Sequence, residues 1–188
     1  MRKVFLDCGG HIGESIQRFK KSKEYSDDFL IFSFEPVPHL YNRYRHWDGI
    51  EFFDYAVWVK DGYVDFFVDK THNKASGSTM LKEKKSGKLD RENPLSCKSL
   101  DFSKWLQDNF TESDYIVLKM DIEGAEYDVL NKMIDDGSIN LINKAYIEFH
   151  WDKIGIEEGI HKKIIDRLSG VEGLELLPEM HLHMGIAN

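Results

Sequence analysis

The segment Val4-Phe5-Leu6-Asp7-Cys8-Gly9-Gly10-His11-Ile12-Gly13-Glu14 constrains the fold of this chain more than any other. It reads as a buried apolar strand, a glycine-rich turn and the opening of a helix. Gly9, Gly10 and Gly13 tolerate positive φ and carry no Cβ, so the backbone of such a turn can pass close to a nucleotide-like ligand. The spacing departs from the G-x-G-x-x-G of dinucleotide sites, because His11 and Glu14 stand where its second and third glycines would fall. Three further apolar runs also end in polar groups. Phe29 to Phe34 leads into Glu35, with Pro36 as the stop. Tyr115 to Met120 leads into Asp121-Ile122-Glu123-Gly124-Ala125-Glu126, and Ala145-Tyr146-Ile147 leads into Glu148-Phe149-His150. In an open parallel sheet such strand ends line one crevice. Glu35 falls roughly twenty residues past Gly13, where a second parallel strand ends after one crossover helix and a carboxylate can accept from a ribose diol.

Strand and helix patterns alternate along the chain, which predicts a three-layer α/β sandwich. Strands are expected near residues 4–7, 30–35, 51–57, 115–121 and 145–150. Helical spacing occurs at Ile12, Ile16 and Phe19, at Leu40, Tyr41, Tyr44 and Trp47, and at Phe102, Trp105, Leu106 and Phe110, the last with Ser99 or Asp101 as N-cap. It recurs at Val129, Leu130, Met133 and Ile134 before Gly137, and at Ile160, Ile164, Ile165 and Leu168 before Gly170. These stripes are core. Lys60-Asp61-Gly62 reads as a hairpin turn between Phe53–Val59 and Tyr63–Val68. Leu174–Leu177 and His181–Ile186 read as a terminal antiparallel pair, which makes His181 and His183 strand alternation rather than metal ligands.

A length of 188 residues fits one domain spanning 1–188. A net charge of −8 excludes the basic footprint of a nucleic-acid binder and disfavours polyanionic substrates. Two cysteines, Cys8 and Cys97, are too few for a disulfide framework, and no apolar run reaches membrane-spanning length. A cytoplasmic protein without membrane insertion is the expectation. The polar segment His72–Pro94 interleaves Lys82, Lys84, Lys85 and Lys88 with Glu83, Asp90 and Glu92, which reads as a solvated, mobile loop. The small hydroxyl-rich turn Ser76-Gly77-Ser78-Thr79 gives residues 70–95 a second reading, as a lid or acceptor loop.

Asp7-Cys8-Gly9-Gly10-His11-Ile12-Gly13, Phe34-Glu35-Pro36-Val37-Pro38, Lys119-Met120-Asp121-Ile122-Glu123-Gly124-Ala125-Glu126 and Ile147-Glu148-Phe149-His150, in this order, resemble the FkbM family of S-adenosylmethionine-dependent methyltransferases. The resemblance covers roughly Val4 to His150, and its most specific part is the Asp121–Glu126 block. His11 stands where the family commonly carries Asn. The resemblance implies a Rossmann-like methyltransferase fold with a mostly parallel seven-stranded sheet and the C-terminal antiparallel hairpin. It implies S-adenosylmethionine as cofactor and a hydroxyl of a sugar, a glycan or a sugar-like small molecule as acceptor.

On that basis Asp7, Gly9, Gly10, His11, Gly13, Glu35 and Asp121 are assigned to the cofactor, with Asp54 and the Ala56 backbone at the adenine edge. An acceptor hydroxyl must lose its proton, and the candidate catalytic groups are the strand-end residues Asp121, Glu123, Glu148 and His150. Each has a bland counterpart. Asp7 could only brace the turn, Glu35 could merely end a strand, and Glu126 could be an exposed first-turn helix residue favoured by the macrodipole. His150 beside Phe149 and Trp151 could be structural, and Lys119 could form an ion pair with Asp121. No metal site is predicted, since no compact ligand motif occurs; Asp121, Glu148 and His150 would be the donors to any divalent ion.

Two other functional classes fit parts of the pattern. A nicotinamide-dependent oxidoreductase would use Glu35 equally well, and Tyr115 and Lys119 have the spacing of a reductase couple. That spacing brings side chains together on a helix, whereas in a strand they lie more than about 10 Å apart at ~3.3 Å per residue. The other class is a catalytically silent scaffold that keeps the fold.

Overall fold

The computed structural model describes residues 1–71 and 75–177. Strand β1 (Lys3–Cys8) lies at the middle of a six-stranded sheet, between β2 (Phe29–Phe34) and β7 (Tyr115–Met120). Beyond β2 comes β3 (Ile50–Phe53); beyond β7 come β8 (Lys144–Ile147) and β9 (Glu175–Leu177). Every pairing is parallel. The side-chain period of two divides β1 between two cores. Val4, Leu6 and Cys8 face one side with α3 (Phe102–Asn109), α4 (Glu126–Asp135) and α5 (Glu158–Ser169), while Phe5 faces Ile16 and Phe19 of α1 (Glu14–Lys20). Helices on both faces make the three layers of a Rossmann-like α/β fold, and strands buried on both faces explain their uninterrupted apolar runs. The chain leaves β1 toward β2 and returns to its other edge as β7, so the switch point lies between the C-terminal ends of β1 and β7.

The predicted helices form. Asp101 is the N-cap of α3, its side chain accepting from the Lys104 amide at 3.2 Å. The stripe Leu40–Trp47 supports only one regular turn, α2 (Pro38–Tyr41), followed by a run of tight turns. Asp101→Ala should lower stability by about 1 kcal/mol through the lost cap alone, read from urea unfolding.

The sheet has six strands among the described residues. The first strand of the expected terminal hairpin, β9, is parallel to β8, while its partner His181–Ile186, the expected seventh strand, lies outside the described residues. One expectation needs correction. The hairpin across Lys60-Asp61-Gly62 does not pair with itself. Strand β6 (Leu95–Asp101) inserts between β4 (Tyr55–Trp58) and β5 (Gly62–Phe66), parallel to the first and antiparallel to the second. Its Ser99 hydroxyl donates to the Lys60 carbonyl and its Asp101 amide to Asp61 Oδ1, so the turn contacts β6. No helix among the described residues is long and apolar enough to cross a membrane.

Candidate active site

The turn after β1 is fastened by its own chain. The Gly9 and Gly10 amides both donate to the Phe34 carbonyl at 3.0 Å, and the Gly13 amide donates to the Gly10 carbonyl at 2.8 Å. The His11 amide donates to Glu35 Oε2 at 2.9 Å, while Glu35 Oε1 accepts from the Val37 amide at 2.8 Å. One buried carboxylate thereby ties the turn after β1 to the turn after β2. Burial pushes the Glu35 carboxyl up to about 7, against the pull of those two amides. At Gly9, with φ +79°, a Cβ would stand 1.9 Å from the Asp121 carbonyl oxygen. At Gly10 it would stand 2.2 Å from Tyr44 Oη. The glycines are therefore demanded by the packing of the turn itself, whatever ligand approaches it. His11 takes φ 50°, a region in which Asn and His are the enriched non-glycine residues.

Asp7 lies beneath this turn, fully buried, and does not reach the cavity. It accepts from Ser15 of α1 at 2.8 Å and from Ser33 of β2 at 3.4 Å. Lys119 of β7 sits between the strand ends, with Nζ 3.4 Å from Asp7 and 3.6 Å from Asp121, and donates to the Gly9 carbonyl at 2.7 Å. Burial alone would lower its pKa, but Asp121 and Asp7 outweigh that and raise it, which keeps Lys119 a cation. Tyr115 is at the far end of β7 and donates to Glu24, so the Tyr115–Lys119 couple does not assemble.

Above the switch point opens a cavity of about 470 Å³. Gly9, Gly10, His11 and Glu35 line one side, Tyr55, Ala56 and Val57 another, and Asp121, Glu123 and Glu148 the floor. Among the sequence-predicted residues, Asp54 stays outside: its carboxylate is half-exposed and pairs with Lys98 at 3.5 Å. Gly13 caps α1 against Trp47 and Tyr44 behind the turn.

His150 lies behind the floor, 1% exposed. Its Nδ1 is 3.0 Å from Glu126 Oε1. Its Nε2 is 3.4 Å from Glu123 and from Glu148 and 3.7 Å from Asp121, and none of these contacts is a hydrogen bond. Burial opposes a charge on this ring; the hydrogen bond to Glu126 and the surrounding carboxylates outweigh it and push its pKa up to about 10. Burial raises the Glu123 carboxyl, while His150 and Lys84 pull it back.

The FkbM methyltransferase domain matches residues 7–177, from the turn to the last strand of the sheet. The chain belongs to this family. Comparisons with curated proteins and with solved structures give no match.

Two residues of this methyltransferase were misjudged from sequence. Lys84 is not a solvated loop lysine; it is 1% exposed and donates to Glu123 Oε2 at 2.5 Å and to the Gly77 carbonyl at 2.8 Å. Its neighbours Lys82, Lys85 and Lys88 are exposed as expected. The segment around it docks on the site: Thr79 donates to the Glu123 carbonyl at 2.8 Å, and Ser76, Ser78 and Met80 line the cavity. Glu126 is fully buried rather than an exposed first-turn residue, and accepts from the Ile122 and Gly124 amides at 2.9 Å each. Glu14 and Arg18 of α1 also line the cavity. A charged residue at i and i+4 on the helix that follows the glycine turn was the available signal for them.

Proposed function

We propose that this protein is an S-adenosylmethionine-dependent O-methyltransferase acting on a hydroxyl of a sugar, a glycan or a sugar-like metabolite. One observation carries the reading: a cavity rich in carboxylates lies beside a turn whose amides are already bonded within the protein. A dinucleotide needs free turn amides for its pyrophosphate, and Glu35 on the His11 amide repels that group. A sulfonium nucleoside carries positive charge and no phosphate, so it suits both features. This disfavours the oxidoreductase reading, as does the separation of Tyr115 from Lys119.

In this reading Glu35 would accept from the ribose hydroxyls through its remaining lone pairs, and the Ala56 backbone would hold the adenine. Gly9, Gly10 and His11 form the wall along the cofactor; Asp7 and Gly13 hold that wall from behind. A bound sulfonium would supply its methyl group to the acceptor oxygen and leave as a neutral thioether, with Asp121 and Glu148 as the cavity carboxylates available to the acceptor. The hydroxyl proton passes to the carboxylate pair Asp121 and Glu148, both about 30% exposed toward the cavity. Glu123, paired with Lys84, and His150 fix the field around them. Hydroxyl and charged groups at Ser76, Ser78, Glu14 and Arg18 suit a polyhydroxylated acceptor.

Calorimetry with adenosyl-homocysteine tests the cofactor, and labelled methyl transfer to sugar-bearing acceptors tests the reaction and separates it from a silent scaffold. Glu35→Ala should weaken adenosyl-homocysteine on the order of 100-fold, the equivalent of two hydrogen bonds to a charged group at about 1.5 kcal/mol each. The pH profile has a defined sign. Glu35 takes up a proton as pH falls through about 7. Affinity should then drop by up to about tenfold per unit below that point, and Glu35→Gln should flatten the slope. A flat wild-type profile between mildly acid and neutral pH would contradict the role of Glu35.

A further inference from the structure

We infer that Asp121, Glu123 and His150 form a binding site for one first-row divalent metal ion on the floor of the cavity. One donor atom from each lies within 4.8 Å of the others. An acidic cluster alone would say little. The second observation is His150 Nε2, a buried ring nitrogen with no hydrogen-bond partner, aimed into the cluster. That nitrogen has carboxylates at 3.4–3.7 Å but hydrogen-bonds to none of them, and a divalent ion bound among them would take the place of its proton, which is released to solvent. The opposite nitrogen, Nδ1, is held by Glu126, which also bonds two backbone amides and cannot rotate away. Histidine ligands are commonly set in this way, the distal nitrogen bound to a carboxylate and the proximal one turned to the ion.

The spacing agrees with this. Two ligands each ~2.1 Å from a tetrahedral ion are about 3.4 Å apart. His150 Nε2 lies 3.4 Å from Glu123 Oε2 and 3.7 Å from Asp121 Oδ1, so small side-chain shifts close the shell. Lys84 braces Glu123 and Lys119 faces Asp121, which keeps both carboxylates in place. The ligand set differs from the one the sequence offered: Glu123, 3.4 Å from His150 Nε2, takes the position given to Glu148. One imidazole nitrogen with carboxylate oxygens suits Mn²⁺, Fe²⁺ or Zn²⁺ better than Ca²⁺. Asp121 and Glu123 also line the cavity, so an ion there has an entry path and a coordination position open to the acceptor.

The inference rests on the proposed methyl transfer for its consequence, though not for its test. Held by the ion, an acceptor hydroxyl would be acidified, and its proton would go to Glu148, the carboxylate outside the ligand set. The test is titration of chelator-stripped protein with Mn²⁺, followed by loss of the free-ion electron paramagnetic resonance signal. Wild type should bind one Mn²⁺ per chain at sub-millimolar concentration. Asp121→Asn and Glu123→Gln should each weaken binding by at least about tenfold, while Glu51→Gln, on an exposed strand, should not. His150→Gln is the direct variant, and circular dichroism will show whether it folds; the two carboxylate variants carry the test if it does not. A wild-type signal that stays fully free overturns the site, as do carboxylate variants with unchanged affinity. Calorimetry with adenosyl-homocysteine on the same stripped sample separates the two readings. Cofactor binding without Mn²⁺ binding sinks only the metal site, and the reverse sinks only the cofactor.

Discussion

Asp121→Asn should lower methyl transfer about 1000-fold while leaving the melting temperature nearly unchanged. The size follows from what a positioned proton acceptor contributes, roughly 10²–10⁴-fold, equivalent to about 4 kcal/mol in the barrier. The selectivity follows from the neighbours. The Asp121 side chain is 30% exposed and makes no hydrogen bond among the described residues, approaching Lys119 at 3.6 Å and His150 at 3.7 Å. Without the carboxylate, Lys119 keeps Asp7 at 3.4 Å and the Gly9 carbonyl at 2.7 Å, so no buried charge is stranded. The Asp121 carbonyl that packs on Gly9 is backbone and survives the change. Single-turnover assays with saturating cofactor and calorimetric melting measure the two halves. Wild-type turnover in this variant would remove Asp121 from the chemistry; a large loss of stability would make it structural.

The parts of this molecule legible in its sequence are those set by local pattern. Strands β1, β2, β7 and β8 are buried on both faces, so each is a plain apolar run with a polar stop. Those stops, Glu35, Asp121 and Glu148, reach the cavity because parallel strands in register end together. Strand β6 was hidden for the opposite reason. Its inward positions are Cys97 and Ser99, between exposed Ser96 and Lys98, and nothing in that alternation is strongly apolar. The hairpin reading failed because turn chemistry is local whereas pairing is not, and β6 arrives only after the long segment docked on the site. Asp54 sits in the break between β3 and β4, and a single residue of offset turns its side chain out toward Lys98. Lys84 and Glu126 were misjudged because a buried charge is tolerated only with partners, and partners distant in sequence cannot be read from composition. Lys84 finds Glu123 39 residues away, and Glu126 finds His150 24 residues away.

Glu126→Ala should be the most destabilising single change at the site, costing about 3–5 kcal/mol. Glu126 is wholly buried, and each of its oxygens is used. Oε1 accepts from the Ile122 amide at 2.9 Å and meets His150 Nδ1 at 3.0 Å; Oε2 accepts from the Gly124 amide at 2.9 Å. Alanine strips two buried amides and the counter-charge of a buried imidazolium in one step, and each unpaired amide alone costs about 1–3 kcal/mol. The same bonds hold the backbone between β7 and α4, where Glu123 has φ 56° and Gly124 has φ 114°. A left-handed non-glycine residue persists only while its surroundings over-determine it. Release of this turn should therefore displace Glu123, with Lys84 and the docked segment attached to it. Glu126→Gln is the discriminating comparison. It keeps one carbonyl acceptor but turns an NH₂ group toward an amide or an imidazolium that also donates, so it should recover part of the loss and not all of it. At about 2–4 °C per kcal/mol for a chain of this size, the alanine variant should melt on the order of 10 °C lower. An alanine variant within 1 kcal/mol of wild type would mean that water satisfies the turn, and that the rigidity of the carboxylate floor comes from Lys84 and Lys119 instead.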